Sequence, residues 1–215
     1  MKKTGLSNIV YYDLKEKILS AKLLPGVRVS EKEIAENFGI SRTPIREALV
    51  KLAEQGLIQT HAGRGFIVRK FSLKEIEDLY TLREALEVLG IRLATPKMDK
   101  KKISHLGKLL EAFPAIIEEY DLVKFNEIDA LFHENLIAYS GNELLIKTFN
   151  TFQMQIKLLR WYDHVSPKSI KETYNQHLQI LNHIIASEIQ LACQAMSSHI
   201  LNSLETVRKA ILKIQ

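Results

Sequence analysis

A segment near the N-terminus, FGISRTPIREALVKLAEQGLI at residues 38–58, combines signals that end one helix and begin another. Gly39 is expected to end the first helix in a left-handed backbone conformation, which glycine adopts at little steric cost. Ser41 can cap the second helix, and Pro44 falls in its first turn, where a missing N–H costs little. Apolar residues then recur at helical spacing until Gly56. The segment therefore predicts two short helices joined by a tight turn.

The residues on either side of this segment complete a small domain. An apolar pattern at residues 8–22 predicts an earlier helix, which a Pro-Gly pair ends. Ser30 and Glu33 have the spacing of a capping box, which marks the start of a helix. Further along, the β-like segments LIQTH and FIVRK, joined by AGRG, predict a two-stranded hairpin. Residues 1–70 are thus expected to form a helix, a helix–turn–helix and a hairpin wing.

The positive charge of the chain is concentrated in this first domain. Residues 1–70 contain 13 Lys and Arg against 7 Asp and Glu, a net charge of +6. Residues 71–215 contain 17 against 18, a net charge of −1. The asymmetry favours a polyanion-binding module joined to a nearly neutral domain, although charge alone also allows a merely basic surface.

The start of the second short helix suits the major groove of DNA. Arg42 and Arg46 are four residues apart and share one helix face. A guanidinium group can donate two hydrogen bonds to guanine, which lysine does less well. The hydroxyl groups of Ser41 and Thr43, with the free N–H groups of the first turn, suit phosphate.

The tip of the predicted hairpin has the sequence Gly-Arg-Gly. Gly63 permits a tight turn and close approach of the backbone, and Arg64 can enter a narrow minor groove. Taken alone, the hairpin sequence also fits an alternative without DNA binding, in which the hairpin is exposed and its arginine is solvated. Combined with the helix–turn–helix pattern and the charge asymmetry, the wing favours DNA binding.

Together these motifs resemble the winged helix–turn–helix of GntR-family bacterial transcription regulators. The resemblance covers about residues 8–70 and rests on LLPGVRV, SRTPIREAL, the following Gly-Leu and GRGFIV. It implies that these residues bind DNA through the recognition helix, the preceding helix and the wing. The residues that it places on DNA are Lys32, Ser41, Arg42, Thr43, Arg46, Gly63 and Arg64.

Only helical patterns follow residue 70. Ser72 and Glu75 form a second capping box. The apolar spacing predicts six helices, at residues 73–95, 99–119, 121–139, 143–163, 168–187 and 189–213. Residues 71–215 are therefore expected to form an all-α bundle, and the whole chain a mainly α protein with one small β-hairpin.

The composition excludes several classes of protein. No apolar run is long enough to span a membrane, and the N-terminus lacks the apolar segment of a signal peptide. A single cysteine, Cys193, excludes an internal disulfide framework. A reducing cytoplasmic location is the expectation.

One predicted helix carries ionisable side chains on its apolar face. In FNEIDALFHENL, residues 125–136, Asp129 and His133 are one turn apart on the inward stripe, where a carboxylate and an imidazole can bind a divalent metal ion. A hydrogen-bonded core pair is the alternative for these two residues alone. His177 and His199 also lie on apolar helix faces. The histidines expected at the surface are His61, His105, His164 and His183.

Residues 72–213 resemble the FCD effector domain of the FadR subfamily of GntR regulators. LYTLREALEVLGIRLA looks like its first helix, and DALFHENL is similar to its D-x-x-x-H motif. The resemblance implies one divalent metal ion, zinc or nickel, bound by Asp129, His133, His177 and His199. It also implies a small carboxylate effector that completes the metal coordination, with Arg83 and Arg160 as candidate effector ligands or else salt-bridge partners. Six helices point to the shorter, VanR-like branch.

Three hypotheses for function follow from these patterns. The first is a ligand-responsive transcription regulator without catalytic residues, which binds a palindromic operator as a homodimer. The second is a metal-dependent hydrolase tethered to a DNA-binding module, because three His and one Asp can leave open metal positions. No convincing general base accompanies the four ligands. The third is a structural domain that the metal stabilises and that senses nothing.

Overall fold

The computed structural model describes residues 3–61, 63, 65–162 and 166–213. The chain divides into two compact units. The first comprises Met1–Phe71 with Phe152–Leu158, and the second comprises Ser72–Thr151 with Leu159–Gln215. The domain ranges expected from the sequence, 1–70 and 71–215, stay a prediction. No helix among the described residues is long and apolar enough to cross a membrane.

The described residues before Ser72 form three α-helices and a three-stranded sheet. The helices are α1 at Lys3–Leu19, α2 at Glu31–Phe38 and α3 at Arg42–Glu54, and the strands are β1 at Arg28–Val29, β2 at Ile58–His61 and β3 at Gly65–Val68. Strand β3 lies between the other two and runs antiparallel to both, with Ile67 opposite Arg28 and Gln59. The sequence predicted two strands in this sheet and missed β1. A strand of two residues is too short to show an alternating pattern of polar and apolar residues.

The turn between α2 and α3 forms for local reasons. Gly39 has φ 63° and ψ 33°, a left-handed conformation, and its N–H donates to the last turn of α2. The Ser30 hydroxyl accepts a hydrogen bond from the N–H of Glu33 at 3.3 Å. Ser41 precedes α3 in an extended conformation, but its side chain makes no capping hydrogen bond. Ser41 therefore occupies the expected N-cap position, but the expected side-chain hydrogen bond does not form, since Pro44 at the third helical position has no N–H to donate.

Helix α3 buries one face and exposes the other. Ile45, Ala48, Leu49 and Leu52 are fully buried. Helix α3 packs against α1, where Tyr11 donates a hydrogen bond from its hydroxyl to Gln55 Oε1 at 2.8 Å. The burial of this stripe orients α3, so the polar residues at its N-terminal end face solvent.

From Leu73 to Leu212 the described residues form seven α-helices and two short 3-10 helices. They are α4 at Leu73–Ala94, α5 at Lys100–Leu110, α6 at Phe113–Glu119, α7 at Leu122–Tyr139, α8 at Glu143–Leu159, α9 at Pro167–Ile185 and α10 at Ile189–Leu212; the 3-10 helices are Thr95–Lys97 and Arg160–Tyr162. The capping box at the start of α4 is confirmed, with Ser72 N–H donating to Glu75 Oε2 at 2.9 Å.

The expected single helix at residues 99–119 was wrong. The structure breaks it between Leu110 and Phe113. Pro114 lies in the first turn of α6, and a continuous helix would require it to donate an N–H to the carbonyl of Leu110, which proline cannot do. The assignment to the VanR-like branch relied on a count of six helices and no longer has that support.

Four helices of the second unit surround its buried polar centre. Helix α10 packs against α4 and α9, and α4 also packs against α7. The approach of α4 to α7 is close, because a Cβ atom at Gly90 would lie 2.8 Å from Cδ1 of Ile137. Side chains from α4, α7, α9 and α10 consequently meet inside the bundle.

Candidate functional site

The N-terminal end of α3 presents a polar, cationic surface. Ser41, Arg42, Thr43 and Arg46 are all exposed. Arg42, Thr43 and Arg46 line one open groove of about 850 Å3, whose other charged residues are Glu31, Glu47, Lys51 and Glu54. Within the described residues, neither arginine forms an ion pair, so both guanidinium groups are available to an external anion. The structure thus brings these expected DNA contacts onto one face.

The remaining expected DNA contacts lie on α2 and on the wing. Lys32 is exposed, and its Nζ atom lies 3.8 Å from the carboxylate of Glu36. Gly63 has φ 75°, and a Cβ atom built there would meet nothing within 4 Å. The glycine is therefore needed for its left-handed backbone conformation and not for space. Arg64 lies outside the described residues.

Asp129, His133, His177 and His199 form a buried cluster. Each offers one potential ligand atom, and these atoms all lie within 4.8 Å of one another. The His133 and His199 Nε2 atoms are 3.3 Å apart. Asp129 Oδ1 lies 3.5 Å from His177 Nε2 and 3.8 Å from His133 Nε2. Helices α7, α9 and α10 therefore bring together the four residues expected from the sequence.

Two acceptors determine which way the histidine rings face. Glu87 Oε2 contacts His133 Nδ1, and Gln176 Oε1 lies 2.7 Å from His199 Nδ1. Because both partners are acceptors, each Nδ1 atom donates, and a ring that carries only this proton directs the lone pair of Nε2 at the cluster. Arg83 Nη2, which can only donate, lies 3.2 Å from His133 Nε2 and agrees with that assignment. The Nε2 atoms of His133 and His199 are 3.3 Å apart, a separation at which one metal ion could bind both.

His177 is held by apolar contacts. Its ring stacks on Phe132, with centroids 4.4 Å apart. Within the described residues, neither of its ring nitrogens makes a hydrogen bond. Burial is the largest influence on this ring and lowers the pKa of His177 to about 3, against the opposing effect of Asp129. A neutral, buried imidazole without a hydrogen-bond partner costs stability, and a metal bond would satisfy one of its nitrogens.

Two buried ion pairs flank the cluster. Arg83 Nε lies 2.7 Å from Glu87 Oε1, and Arg160 Nε lies 2.6 Å from Asp129 Oδ2. Burial alone would raise the pKa of Glu87, but the charges of and hydrogen bonds from His133 and Arg83 lower it to about 2. Asp129 thus directs one oxygen to Arg160 and the other to the histidines. The donor set of three imidazoles and one carboxylate fits a divalent transition metal ion.

Comparison with known proteins covers both units. The family model described as "Bacterial regulatory proteins, gntR family" matches residues 6–68, and the model of the FCD domain matches residues 78–202. The chain belongs to the GntR family of bacterial transcription regulators. Its FCD domain places this GntR regulator in the FadR-like subfamily.

Individual relatives agree with the family assignment. The HTH-type transcriptional repressor RspR of Escherichia coli K12 is 31% identical over 202 residues, which cover 93% of this chain and 88% of RspR. The Nta operon transcriptional regulator of Aminobacter aminovorans is 33% identical over 196 residues, which cover 88% of this chain and 90% of that regulator. The solved structure of E. coli McbR/YncC superposes with a TM-score of 0.80 at 21% identity. The match covers 95% of this chain and 97% of the McbR/YncC chain, and it supports the fold. These relatives are transcription regulators and not hydrolases, which favours the regulator hypothesis over the hydrolase hypothesis.

Sequence reasoning missed Glu87 and Gln176 of this GntR regulator. Glu87 follows Arg83 by one turn on the buried stripe of α4, so helical spacing could have identified it. Gln176 left no such signal, because its role depends on the packing of α9 against α10. The sequence left open whether Arg83 and Arg160 bind an effector or form salt bridges. In the structure both arginines form salt bridges beside the cluster. His105 is exposed and His183 is half-buried beside Glu188, and neither joins the cluster.

Proposed function

We propose that this GntR regulator controls transcription in response to a small organic acid, which binds beside a divalent metal ion in the helical domain. The observation that carries the proposal is the convergence of His133 Nε2 and His199 Nε2 beside the Asp129 carboxylate and beside His177, whose ring nitrogens make no hydrogen bond within the described residues. A transcription regulator that responds to a metabolite needs a site whose occupancy changes with the concentration of that metabolite. The ligand atoms of this cluster could form such a site with a metal ion.

Asp129, His133, His177 and His199 would hold the metal ion. Imidazole and carboxylate ligands suit zinc or nickel, which are the ions proposed here. The second contacts of His133 and His199, to Glu87 and Gln176, fix the ring orientation that a metal ligand needs. A bound divalent ion would supply a Lewis acid to which a carboxylate oxygen can coordinate.

The charge of the site favours an anionic effector. The guanidinium groups of Arg83 and Arg160 and the carboxylates of Glu87 and Asp129 sum to zero, and all four are buried. A divalent ion would bring the net charge to +2, since histidines that bind a metal ion are neutral. A buried charge gains most from being paired, so a carboxylate stabilises the loaded site. Arg83 and Arg160 are the proposed effector ligands.

The DNA half of the proposal places a homodimer on a palindromic operator, in the cytoplasm. Twofold symmetry of the operator matches that of a dimer, with one recognition helix in each half-site. Residues 1–70 would be the DNA-binding domain, and 71–215 the effector-binding and dimerisation domain. The exposed, unpaired guanidinium groups of Arg42 and Arg46 support this role for α3. The proposed DNA contacts are Lys32, Ser41, Arg42, Thr43, Arg46, Gly63 and Arg64.

Effector and operator would be coupled through a population shift. If each ligand prefers a different conformation of the dimer, each weakens the other by the same free energy. Such coupling is typically about 1–3 kcal/mol, which corresponds to an operator affinity change of about 5–150-fold.

A titration of operator DNA tests the proposal. The operator is selected from random DNA, and small carboxylates are screened by thermal shift on metal-loaded protein. Fluorescence anisotropy then measures operator affinity with and without the carboxylate that raises the melting temperature. The response should disappear in Asp129→Ala/His177→Ala protein whose folding circular dichroism verifies. An unchanged response in that variant would place the anion elsewhere. If no carboxylate shifts the melting temperature, the metal is structural only.

A further inference from the structure

The four cluster residues differ in their access to solvent. His133 and His177 are fully buried, whereas His199 keeps 4% of its surface exposed. His199 also lines a cleft of about 370 Å3 between α9 and α10, and the other three cluster residues do not line it. His199 is thus the cluster residue that this cleft connects to solvent.

A neutral hydrogen bond holds His199 at the side of this cleft. Gln176 Oε1 accepts from His199 Nδ1 at 2.7 Å, and Gln176 itself lines the cleft. The corresponding support of His133 is the fully buried carboxylate of Glu87. Charge-assisted hydrogen bonds are about twice as strong as neutral ones. The hydrogen bond that orients His199 is therefore the weaker of the two, and it lies on the side of the cluster that faces the cleft.

Most side chains in the walls of the cleft are neutral. The polar groups that line it with Gln176 come from Gln179, Gln194, Ser198 and Asn202, together with the imidazole of His183. No residue lining this cleft contributes a carboxylate, an ammonium or a guanidinium group. Amide and hydroxyl oxygens can coordinate a passing cation weakly without trapping it.

We propose that the cleft between α9 and α10 is the route by which the metal ion exchanges with solvent, and that Gln176 is the positioning residue that limits the exchange rate. This route rests on the proposed function, since it requires an ion at the cluster. While Gln176 holds Nδ1, the His199 ring keeps Nε2 towards the cluster. When that hydrogen bond opens, rotation of the side chain withdraws one of the four ligands towards the cleft. Loss of such outer contacts typically changes metal affinity about 10–100-fold.

The rate of metal release tests the role of Gln176. Full-length protein is loaded with Co2+, whose visible absorption reports its ligands, and is mixed with excess EDTA in a stopped-flow spectrometer. Gln176→Ala is expected to release Co2+ about 10-fold faster than wild type. Gln176→Glu, whose carboxylate still accepts from Nδ1, is expected to release it no faster than wild type. Gln179→Ala is the matched control in the same cleft, and its rate should equal that of wild type.

A second pair of variants tests the route. Ser198→Trp places a large side chain in the cleft wall, whereas Gln190→Trp places one on α10 outside the lining. Release should slow in Ser198→Trp only. An unchanged rate in Ser198→Trp would overturn the route.

The remaining outcomes separate this inference from the proposed function. If Gln176→Ala releases Co2+ at the wild-type rate, or if Gln179→Ala accelerates release equally, Gln176 has no special role. In either case, the proposed metal site still stands if wild-type protein binds one ion per chain. If wild-type protein binds no Co2+, Zn2+ or Ni2+ in equilibrium dialysis, the proposed site and the exchange route both fail.

Discussion

The buried ion pair between Arg83 and Glu87 offers the sharpest test of how the helical unit is stabilised. Both side chains are at most 2% exposed, and Arg83 Nε lies 2.7 Å from Glu87 Oε1. Glu87→Gln keeps the shape of the side chain but removes its charge. Breaking a buried pair by removing one partner typically costs about 3–5 kcal/mol, because the other charge is left uncompensated.

The remaining contacts of Arg83 place the expected loss within that range. Without Glu87, the guanidinium group keeps His133 Nε2 at 3.2 Å and the ring of Tyr80 at 5.5 Å. Both contacts partly compensate the charge of the guanidinium group, so we expect the free energy of unfolding to fall by about 3 kcal/mol. Since domains are stable by about 5–15 kcal/mol, such a loss is easily measured.

Urea unfolding of metal-free protein measures this loss. Far-UV circular dichroism follows the loss of the helices during the titration. The matched control is Glu77→Gln on the same helix, because Glu77 lies 3.4 Å from Arg208 in an exposed pair. Exposed pairs contribute about 0–1 kcal/mol. The double variant Arg83→Met/Glu87→Leu should be more stable than Glu87→Gln, since it removes both charges of this pair and leaves neither of them unpaired. Equal effects of Glu87→Gln and Glu77→Gln would refute this reasoning.

Other substitutions test the DNA surface, the metal cluster and one helix cap. Arg46→Ala should cost about 1–3 kcal/mol of operator affinity and relax base preference, as loss of a bidentate guanine contact does; wild-type affinity in anisotropy titrations would contradict it. Lys32→Ala should weaken binding to all sequences and reduce the slope of affinity against salt by about one phosphate contact. His177→Ala should lower metal content in elemental analysis, whereas His105→Ala, at an exposed histidine, should not; equal content in both variants would contradict the site. Asp99 caps α5, and its hydrogen bond from the Lys102 N–H lowers the pKa of its carboxyl. Its stabilising effect should therefore be present above the ordinary pKa of Asp and be lost at lower pH. Asp99→Asn should lower the melting temperature relative to wild type at pH 7, and this difference should disappear in acid, where the wild-type carboxyl is protonated.

Local signals in the sequence were sufficient for the helix–turn–helix. The turn depends on Gly39 in a left-handed conformation, and α2 begins at the Ser30 cap. These interactions join residues a few positions apart, so the pattern of residue types contains all the information needed. The same holds for the buried stripe of α3, which follows from helical spacing.

Helical spacing also identified the inward-facing ligands of the second unit. Asp129, His133, His177 and His199 each lie on an apolar face of their own helix, and all four are buried. Spacing alone predicts only that a side chain points into the core. It does not state that three different helices bring these side chains to one point.

Only the tertiary structure decided what surrounds that point. Glu87 and Gln176 orient the rings of His133 and His199 from α4 and α9, at sequence separations of 46 and 23 residues. Such contacts depend on how helices pack, and the packing of α4 against α7 depends in turn on the absence of a side chain at Gly90. The short strand β1 is likewise formed by its pairing with β3. Contacts between distant segments leave no periodic pattern in the chain, because each partner is chosen by the packed bundle and not by its neighbours in sequence.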